Sequence, residues 1–300
     1  MKILITGGAG FIGRNLAKTI LETGGKVVVL DNFLSAPPME EQPGLTIIHG
    51  DVEDIRGPMT LLNDVDAVVH AACVQLPECS DPENYWRGLN THVMGTMAML
   101  DLCRQLDVPM VYLSSVSVYG DYSISPINED APSRPCTPYA AGKLAGEGFC
   151  MAYQKHGWVN STILRLSNVY GPGQHPDYHA GVIGKFIDAK LKNKPAILYG
   201  GGTDVRDFTY ISDVIDAILM ALESDFHGPY NVSHGIATKI KLIVDQLGLT
   251  AEYAEPRDVD NIPFRTLDTT KIRMDFGWYP RVQMPQGLRL TEQWMSKVMA

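Results

Sequence analysis

The chain has 300 residues, 45% of them hydrophobic and 20% charged, with 34 acidic against 25 basic residues and a net charge of −9. That length accommodates about two domains, or one large α/β domain carrying a lobe, and the apolar share excludes disorder as the main state. The acidic balance excludes a nucleic-acid backbone or an anionic membrane as the principal partner, because both demand basic surface.

No apolar run reaches the roughly 18 residues of a spanning helix, and MKILITGG runs from one lysine straight into a strand-like segment. The expected compartment is the cytoplasm. The first half alternates short β-rich runs with helical patterns: KILIT, FIGRNLAKTILETG, KVVVLD, then a loop, LTIIHGD and DAVVHAA. Such alternation predicts βαβ units around a parallel sheet. A long helix is predicted through Asn90 to Leu106, a fifth strand at MVYLSS, a Pro-rich loop over 121–138, a helix from Tyr139 to His156 and a sixth strand at STILRLSNVYG. From Gly171 onward Pro, Gly and His break the rhythm into shorter elements. The expected architecture is α/β: a doubly wound parallel (Rossmann) sheet over 1–170 and a smaller C-terminal α/β substrate-binding lobe over 171–300, with some segments returning to the first domain.

Gly7, Gly10 and Gly13 in TGGAGFIG stand between the first strand and the first helix. Without Cβ atoms the backbone can turn tightly and approach a pyrophosphate, while the helix N-terminus offers free N–H donors and positive dipole. The second strand ends in Asp31, eighteen residues after Gly13. A carboxylate there accepts both ribose hydroxyls of an adenosine and repels a 2′-phosphate, so NAD is expected rather than NADP. The competing reading is a plain turn followed by a solvated aspartate. Asp51 and Val52, after the third strand, are candidates for the adenine edge or for a polar strand cap.

Tyr139 and Lys143 are four residues apart, which puts them on one face of a helix. The pair opens that helix directly after the fifth strand and its loop, and the strand ends in Ser114 and Ser115, at the carboxyl edge where open α/β sheets bind ligands. A phenol with an ordinary pKa near 10 is a poor base at neutral pH, but a lysine ammonium and an oxidised nicotinamide both favour the phenolate. Tyr139 can then take a proton from a sugar hydroxyl and return it. Ser115 would hydrogen-bond the same oxygen, and Lys143 would also hold the nicotinamide ribose. A capping role for Ser115 and a packed aromatic at Tyr139 are the structural alternatives.

In order along the chain, TGGAGFIG, Asp31, HAA at His70 to Ala72, SSVSVYG from Ser114 to Gly120, PYAAGK, RLSNVYGPG, RDFTYISD and LDTTKIRMDFGWYP resemble the extended short-chain dehydrogenase/reductase family, specifically its NAD-dependent sugar-nucleotide epimerases and dehydratases. The resemblance covers essentially the whole chain. It implies cofactor contacts from Gly7, Gly10, Phe11, Ile12, Gly13, Asp31, Asn32, Asp51, Val52, Ala71, Ala72, Asn90, Ser114, Tyr139 and Lys143, with Ser115, Tyr139 and Lys143 catalytic. Asn168 and Arg206 fall at positions that contact the nucleotide diphosphate. Arg206 also makes independent sense, since a guanidinium grips phosphate bidentately; its alternative is a pair with Asp204 or Asp207. Arg265, Asp268 and Tyr199 are weaker candidates for the second phosphate, the nucleoside ribose and the base. The partners implied are a nucleotide-sugar substrate and a second copy of the chain, docked through the helices Asn90 to Leu106 and Tyr139 to His156, whose apolar faces burial within the monomer would equally explain.

The resemblance implies oxidation of the sugar at C4 as the first step, and absences then narrow the reaction. The dehydratases of this family carry Asp and Glu just before their VYG-like segment, where this chain has Val116 and Ser117. The decarboxylases have Glu, and the epimerase-reductases Cys, at the position of Ser117. Ser115, Tyr139 and Lys143 suffice for reversible hydride transfer, so a C4 epimerase is expected, acting on a UDP-sugar because UDP is the commonest nucleotide in the resembling group, with a 4-keto-reductase or 4,6-dehydratase of a deoxysugar nucleotide as the alternative and a dinucleotide-sensing regulator as a different class. Leu76 and Val116 are candidate pocket walls, and Gln75, Cys79, His175 and His179 stay unassigned. His175 and His179 have helical metal-ligand spacing, yet Pro176 lies between them and no third ligand is evident, so no metal is expected. The five cysteines, Cys73, Cys79, Cys103, Cys136 and Cys150, are odd in number and contain no Cys-x-x-Cys pair, so no disulfide framework is expected.

Overall fold

A computed structural model describes residues 1–54, 62–75, 85–121, 125–176, 181–256 and 265–299. In chain order its elements begin with β1 (Lys2–Thr6), α1 (Phe11–Glu22), β2 (Lys26–Asp31), β3 (Leu45–His49) and β4 (Ala67–His70). A helical stretch follows, made of α2 (Tyr85–Leu89), a π-helical turn (Asn90–Met94) and α3 (Gly95–Leu106). Then come β5 (Met110–Ser115), a 3₁₀ turn (Val116–Tyr119), α4 (Pro138–Lys155), β6 (Ser161–Leu166), β7 (Asn168–Tyr170) and α5 (Val182–Leu191). The last elements are β8 (Ala196–Tyr199), β9 (Val205–Tyr210), α6 (Ile211–Leu222), β10 (Gly228–Val232), β11 (Ala237–Lys239), α7 (Ile240–Gln246), β12 (Ala251–Ala254), α8 (Thr270–Phe276) and α9 (Met284–Val298).

Seven strands form one sheet in the order β10-β6-β5-β4-β1-β2-β3. The pairs β1–β2, β1–β4, β2–β3 and β4–β5 are all parallel. The order reverses beside β1, the doubly wound pattern in which loops at the carboxyl ends of the strands hold ligands. A parallel sheet covered on both faces requires unbroken apolar strands, and Ile3, Leu4, Ile5 and Val27 to Leu30 are each at most 1% exposed. Phe11, Leu16, Ala17 and Ile20 form the buried stripe of α1. Leu100, Cys103, Tyr112, Cys150 and Ile163 join one core cluster with the strands, so α3 and α4 are fastened to the sheet by the same apolar contacts.

The chain divides into two interleaved units, Met1–Gly120 with Pro132–Arg165 and Ile218–Tyr230, and Asp121–Ala131 with Leu166–Ala217 and Asn231–Ala300. In the second unit β11, β9 and β7 form a three-stranded sheet and β8 pairs with β12. Trp278 is buried, its indole N–H donating to the Asp213 carbonyl at 2.9 Å. The Asp213 carboxylate accepts the amides of Arg281 and Val282, both at 3.1 Å, so helix α6 anchors the C-terminal segment.

One expected element divides. The run STILRLSNVYG becomes β6 in the large sheet and β7 beside β9. Ser167 lies between them, its amide donating to the Val232 carbonyl at 3.1 Å and its hydroxyl bonded to Thr209 Oγ1 at 2.7 Å. Those two bonds satisfy the amide and the hydroxyl of a residue that belongs to neither ladder.

Candidate functional site

In the first unit the glycine loop leads from β1 into α1. Gly7 adopts φ +66°, and a Cβ there would come within 2.7 Å of the Ala72 Cα. At Gly13 a Cβ would meet the Gly7 carbonyl oxygen at 2.4 Å. Only glycine fits either point, because backbone crosses backbone. Gly10 caps α1 with no side chain on the first-turn amides, and those amides carry the dipole that attracts an anion. Phe11 is buried and Ile12 half-buried.

Asp31 ends β2 with its carboxylate oriented by two backbone donors: Oδ2 accepts from Ala9 N at 2.9 Å and Oδ1 from Phe33 N at 2.8 Å. Each oxygen keeps a further lone pair for a ribose hydroxyl. Arg14 gives its guanidinium to the carbonyls of Ala9, Pro37 and Pro38, fastening the loop after β2 to the start of α1. Asn32 Nδ2 donates to Asp51 Oδ1 at 2.6 Å. The Val52 side chain packs in the core, so closely against Gly95 that a Cβ there would lie 2.3 Å from it. Its side chain is therefore committed to packing.

The strand ends hold the remaining candidates. Ser114, buried, donates to Glu147 at 2.5 Å, and Glu147 pairs with Arg165 at 2.6 Å. Arg165 also reaches the Tyr119 hydroxyl at 2.9 Å, closing a network under the β5 carboxyl end. Ser115 caps the 3₁₀ turn, its Oγ accepting from Ser117 N at 3.2 Å. Capping uses one lone pair and leaves the hydroxyl proton free to bond a substrate oxygen. Thr137 caps α4 with Pro138 in its first turn, which sets Tyr139 at the start of that helix. Lys143, only 2% exposed, donates from Nζ to the Leu113 carbonyl at 2.9 Å. The lysine is thus tied to β5 two residues before Ser115. Cys73 Sγ lies 3.9 Å from the Tyr139 hydroxyl, and the His92 ring stands edge-on to the Tyr139 ring at a centroid distance of 5.4 Å. Ala71 and Ala72 follow β4, their amides bonded to Thr6. His70 is buried between Thr6 and Thr96, and burial, with the Lys143 charge adding to it, pushes its pKa down to about 3.

Asn90 presents an exposed side chain at the start of the π-helical turn, whereas His92 two residues on faces Tyr139. Sequence patterns did not single out His92, because a π-helical turn has no apolar period of its own.

In the second unit the candidates gather along β9. Asn168 Nδ2 donates to the Asp207 carbonyl at 3.1 Å, and the Arg265 amide donates to the Val205 carbonyl at 3.1 Å. Arg206 pairs with Asp204 at 3.3 Å and donates to the Val205 carbonyl at 3.1 Å. Asp207 turns inward, 1% exposed, accepting from Gly235 N at 3.2 Å and Leu267 N at 3.3 Å. Burial outweighs those donors and raises its pKa to about 6. Asp268 lies two residues before α8 and accepts from Thr270 N at 2.8 Å. Tyr199 is exposed in the separate β8–β12 pair, and Val116 is buried in the first unit. Gln75 and His175 are half-buried. Leu76, Cys79 and His179 lie outside the described residues. Among the described residues no three His, Cys, Asp or Glu side chains could together hold a metal, and no helix is long and apolar enough to cross a membrane.

The glycine cradle, a helix start without a side-chain cap and the carboxylate of Asp31 at the end of β2 fit NAD. The sequence model of the NAD dependent epimerase/dehydratase family matches residues 3–233. A Methanocaldococcus jannaschii protein provisionally named UDP-glucose 4-epimerase is 32% identical, with 98% of each chain covered. UDP-glucuronic acid decarboxylase 5 of Arabidopsis thaliana is also 32% identical, over 98% of this chain and 89% of its own. The crystal structure of the Thermotoga maritima UDP-glucose 4-epimerase with UDP-glucose matches at a TM-score of 0.93 and 28% identity, covering 100% of both chains. The family motifs thus run through a chain of matching length and fold, and the protein belongs to the NAD-dependent epimerase/dehydratase family.

Proposed function

We propose that the protein is an NAD-dependent 4-epimerase of a nucleotide sugar, with a UDP-sugar as the favoured substrate. NAD supplies a hydride acceptor and donor when bound. Tyr139 takes the proton of the sugar 4-hydroxyl as the C4–H bond breaks and a 4-ketone forms. Ser115 donates a hydrogen bond to the same oxygen, and the buried Lys143 favours the phenolate by its charge. After the keto sugar turns its other face, the C4–H bond re-forms and Tyr139 returns the proton. No further acid or base is needed.

The observation that carries this reading is the set Ser115, Tyr139 and Lys143 with Val116 and Ser117 beside it. Lys143 is locked to the Leu113 carbonyl, and neither Val116 nor Ser117 supplies the additional carboxylate that elimination or decarboxylation would employ. In the second unit Asn168, Arg206 and Arg265 are proposed to hold the diphosphate, with Asp268 and Tyr199 toward the nucleoside. The cytoplasm is the proposed compartment and a homodimer the proposed assembly. For the dimer, Tyr85, Trp86, Leu89 and Met94 on the helical stretch and Met151 on α4 are between 39% and 57% exposed, an apolar face that a second copy would cover.

The decisive test incubates protein as purified with UDP-, GDP-, CDP- and dTDP-sugars, a UDP-uronate included, and follows the products by NMR. A C4 epimer without added cofactor is expected. Stoichiometric consumption of added NADH with a keto sugar would replace epimerase by reductase, and loss of carboxylate from the uronate would replace it by decarboxylase.

A further inference from the structure

Tyr139 has an aromatic neighbour in the first unit that no motif announces. The π-helical turn Asn90–Met94 interrupts the helical stretch between α2 and α3, and turns of this kind recur at functional sites. It carries His92, 1% exposed. The planes of the His92 and Tyr139 rings meet at 85°, the edge-to-face arrangement that aromatic pairs favour.

Hydrogen bonds assign the protons of this ring. His92 Nε2 accepts the Val74 amide at 3.1 Å, so the neutral ring carries its proton on Nδ1. Nδ1 is buried with no hydrogen-bond partner among the described residues. It faces Gly142, where a Cβ would come within 3.0 Å of Nδ1 and 3.1 Å of the His92 Cβ. Gly142 immediately precedes Lys143 and stands one helical turn after Tyr139. The absent side chain on α4 is therefore what makes room for the imidazole.

The backbone of the turn that carries the ring is also held from behind. Thr96 Oγ1 donates to the His92 carbonyl at 2.7 Å, which leaves Thr96 to accept from His70 Nε2 at 3.1 Å. His70 Nδ1 then accepts from Thr6 Oγ1 at 2.7 Å. Thr6 is the residue before Gly7, so a buried hydroxyl–imidazole chain runs from the start of the glycine loop to the turn that carries His92. Burial, with the nearby Lys143 charge, holds the His92 pKa well below the ordinary histidine value, so the ring adds no positive charge beside the tyrosine. Packing alone gives no reason for a buried N–H without an acceptor, because such a group costs stability that an apolar side chain would not.

We infer that His92 is a positioning residue for Tyr139: pinned by the Val74 amide and the π-helical turn, its imidazole holds the phenol in the orientation in which the hydroxyl meets the sugar. The inference rests on Tyr139 acting as the acid–base group. Misplacing a reacting group by about 1 Å is enough to cost on the order of 100-fold in rate.

The test uses the NAD-loaded protein and two variants. His92→Phe keeps a ring of similar size and removes the acceptor for Val74. Gly142→Ala keeps every polar group and presses a methyl on the imidazole. His92→Phe is expected to lower kcat by roughly 10- to 100-fold per NAD-loaded site, and Gly142→Ala, whose methyl moves the ring by less, by roughly 3- to 10-fold, with KM for the nucleotide sugar within about twofold in both. A merely structural role would instead lower the NAD-loaded fraction and leave kcat per loaded site intact. Parent-like kcat per loaded site in either variant overturns the inference. Should His92→Phe fail to fold, Gly142→Ala alone decides. Tyr139→Phe is measured alongside: if it turns over normally the acid–base reading falls with the inference, whereas an inactive Tyr139→Phe beside a parent-like Gly142→Ala removes only the role of His92.

Discussion

The candidate residues of the two units are held in different ways. Around β5 the contacts are long in sequence: Lys143 reaches the Leu113 carbonyl, Glu147 reaches Ser114 and Arg165, and His92 reaches Val74. Each ties together segments far apart in the chain, so Lys143, Glu147 and His92 cannot move without breaking a bond of that kind. Arg206 in the second unit is held by Asp204 and Val205, its own neighbours, with Asp204 partly exposed. A contact of that kind exchanges readily for a phosphate. The difference teaches that the first unit is built for one chemistry in one geometry, while the second keeps Arg206 on local, replaceable partners.

The largest effect that would break this comparison comes from Tyr139→Phe. Removing the acid–base hydroxyl should lower kcat by about 10³-fold, with bound NAD retained, as seen by nucleotide released on denaturation. Turnover above a tenth of the parent would show that the rigid half does not carry the chemistry. Next is Glu147→Ala, which strips the buried Arg165 of its partner. Breaking a buried pair from one side costs about 3–5 kcal/mol, so urea unfolding should register a loss of that order. A loss below about 1 kcal/mol would mean the network beneath Ser114 is not what fixes β5 and α4 together.

Much of the first unit was legible in sequence for a physical reason. Buried parallel strands read as unbroken apolar runs, and KILIT, KVVVLD, DAVVHAA and MVYLSS all matched strands of the large sheet. The glycine spacing before α1 and the four-residue interval between Tyr139 and Lys143 are local, so they survive in one dimension. The break at Ser167 did not show, because no Gly or Pro marks it; the bonds that end β6 there come from Val232 and Thr209, far along the chain. The same holds for His92. Its meaning lies in contacts with Val74, Tyr139 and Gly142, and none of these has a sequence interval. Arg206 pairs with Asp204, two residues away, a contact whose residues are neighbours in the sequence itself.

A smaller effect sharpens the contrast from the other side. If Arg206 exchanges Asp204 for a phosphate, Arg206→Ala should raise KM for the nucleotide sugar by roughly 10- to 100-fold, the worth of one or two charge-assisted hydrogen bonds. The kcat and the bound NAD should stay near the parent values. Equal falls in kcat and kcat/KM would put Arg206 with the transition state instead, and the division of labour between the units would fail.

Acid should separate the two units most gently, and in opposite directions. His70 in the first unit has a native pKa of about 3 against an ordinary 6.5. Below pH 6.5 the unfolded chain takes up a proton that the native imidazole refuses, so its contribution is present above pH 6.5 and is lost as pH falls toward 3. Asp207 in the second unit has a native pKa of about 6 against an ordinary 3.8. Below pH 6 the native carboxyl is protonated while the unfolded one is still ionised, so this group adds stability as pH falls from 6 to 3.8 and loses it on the way back. Each slope approaches about 1.4 kcal/mol per pH unit inside its window. Native-state amide exchange at pH 7 and pH 5, corrected for intrinsic rates, should therefore show the β1 and β4 amides losing protection while those of β9 hold or gain. Asp207→Asn should remove the gain in β9 and leave the loss in β1 and β4 untouched. A uniform loss in both sheets of the parent protein would mean that the two units share one acid response, and that the contrast in how they are held does not extend to their stability.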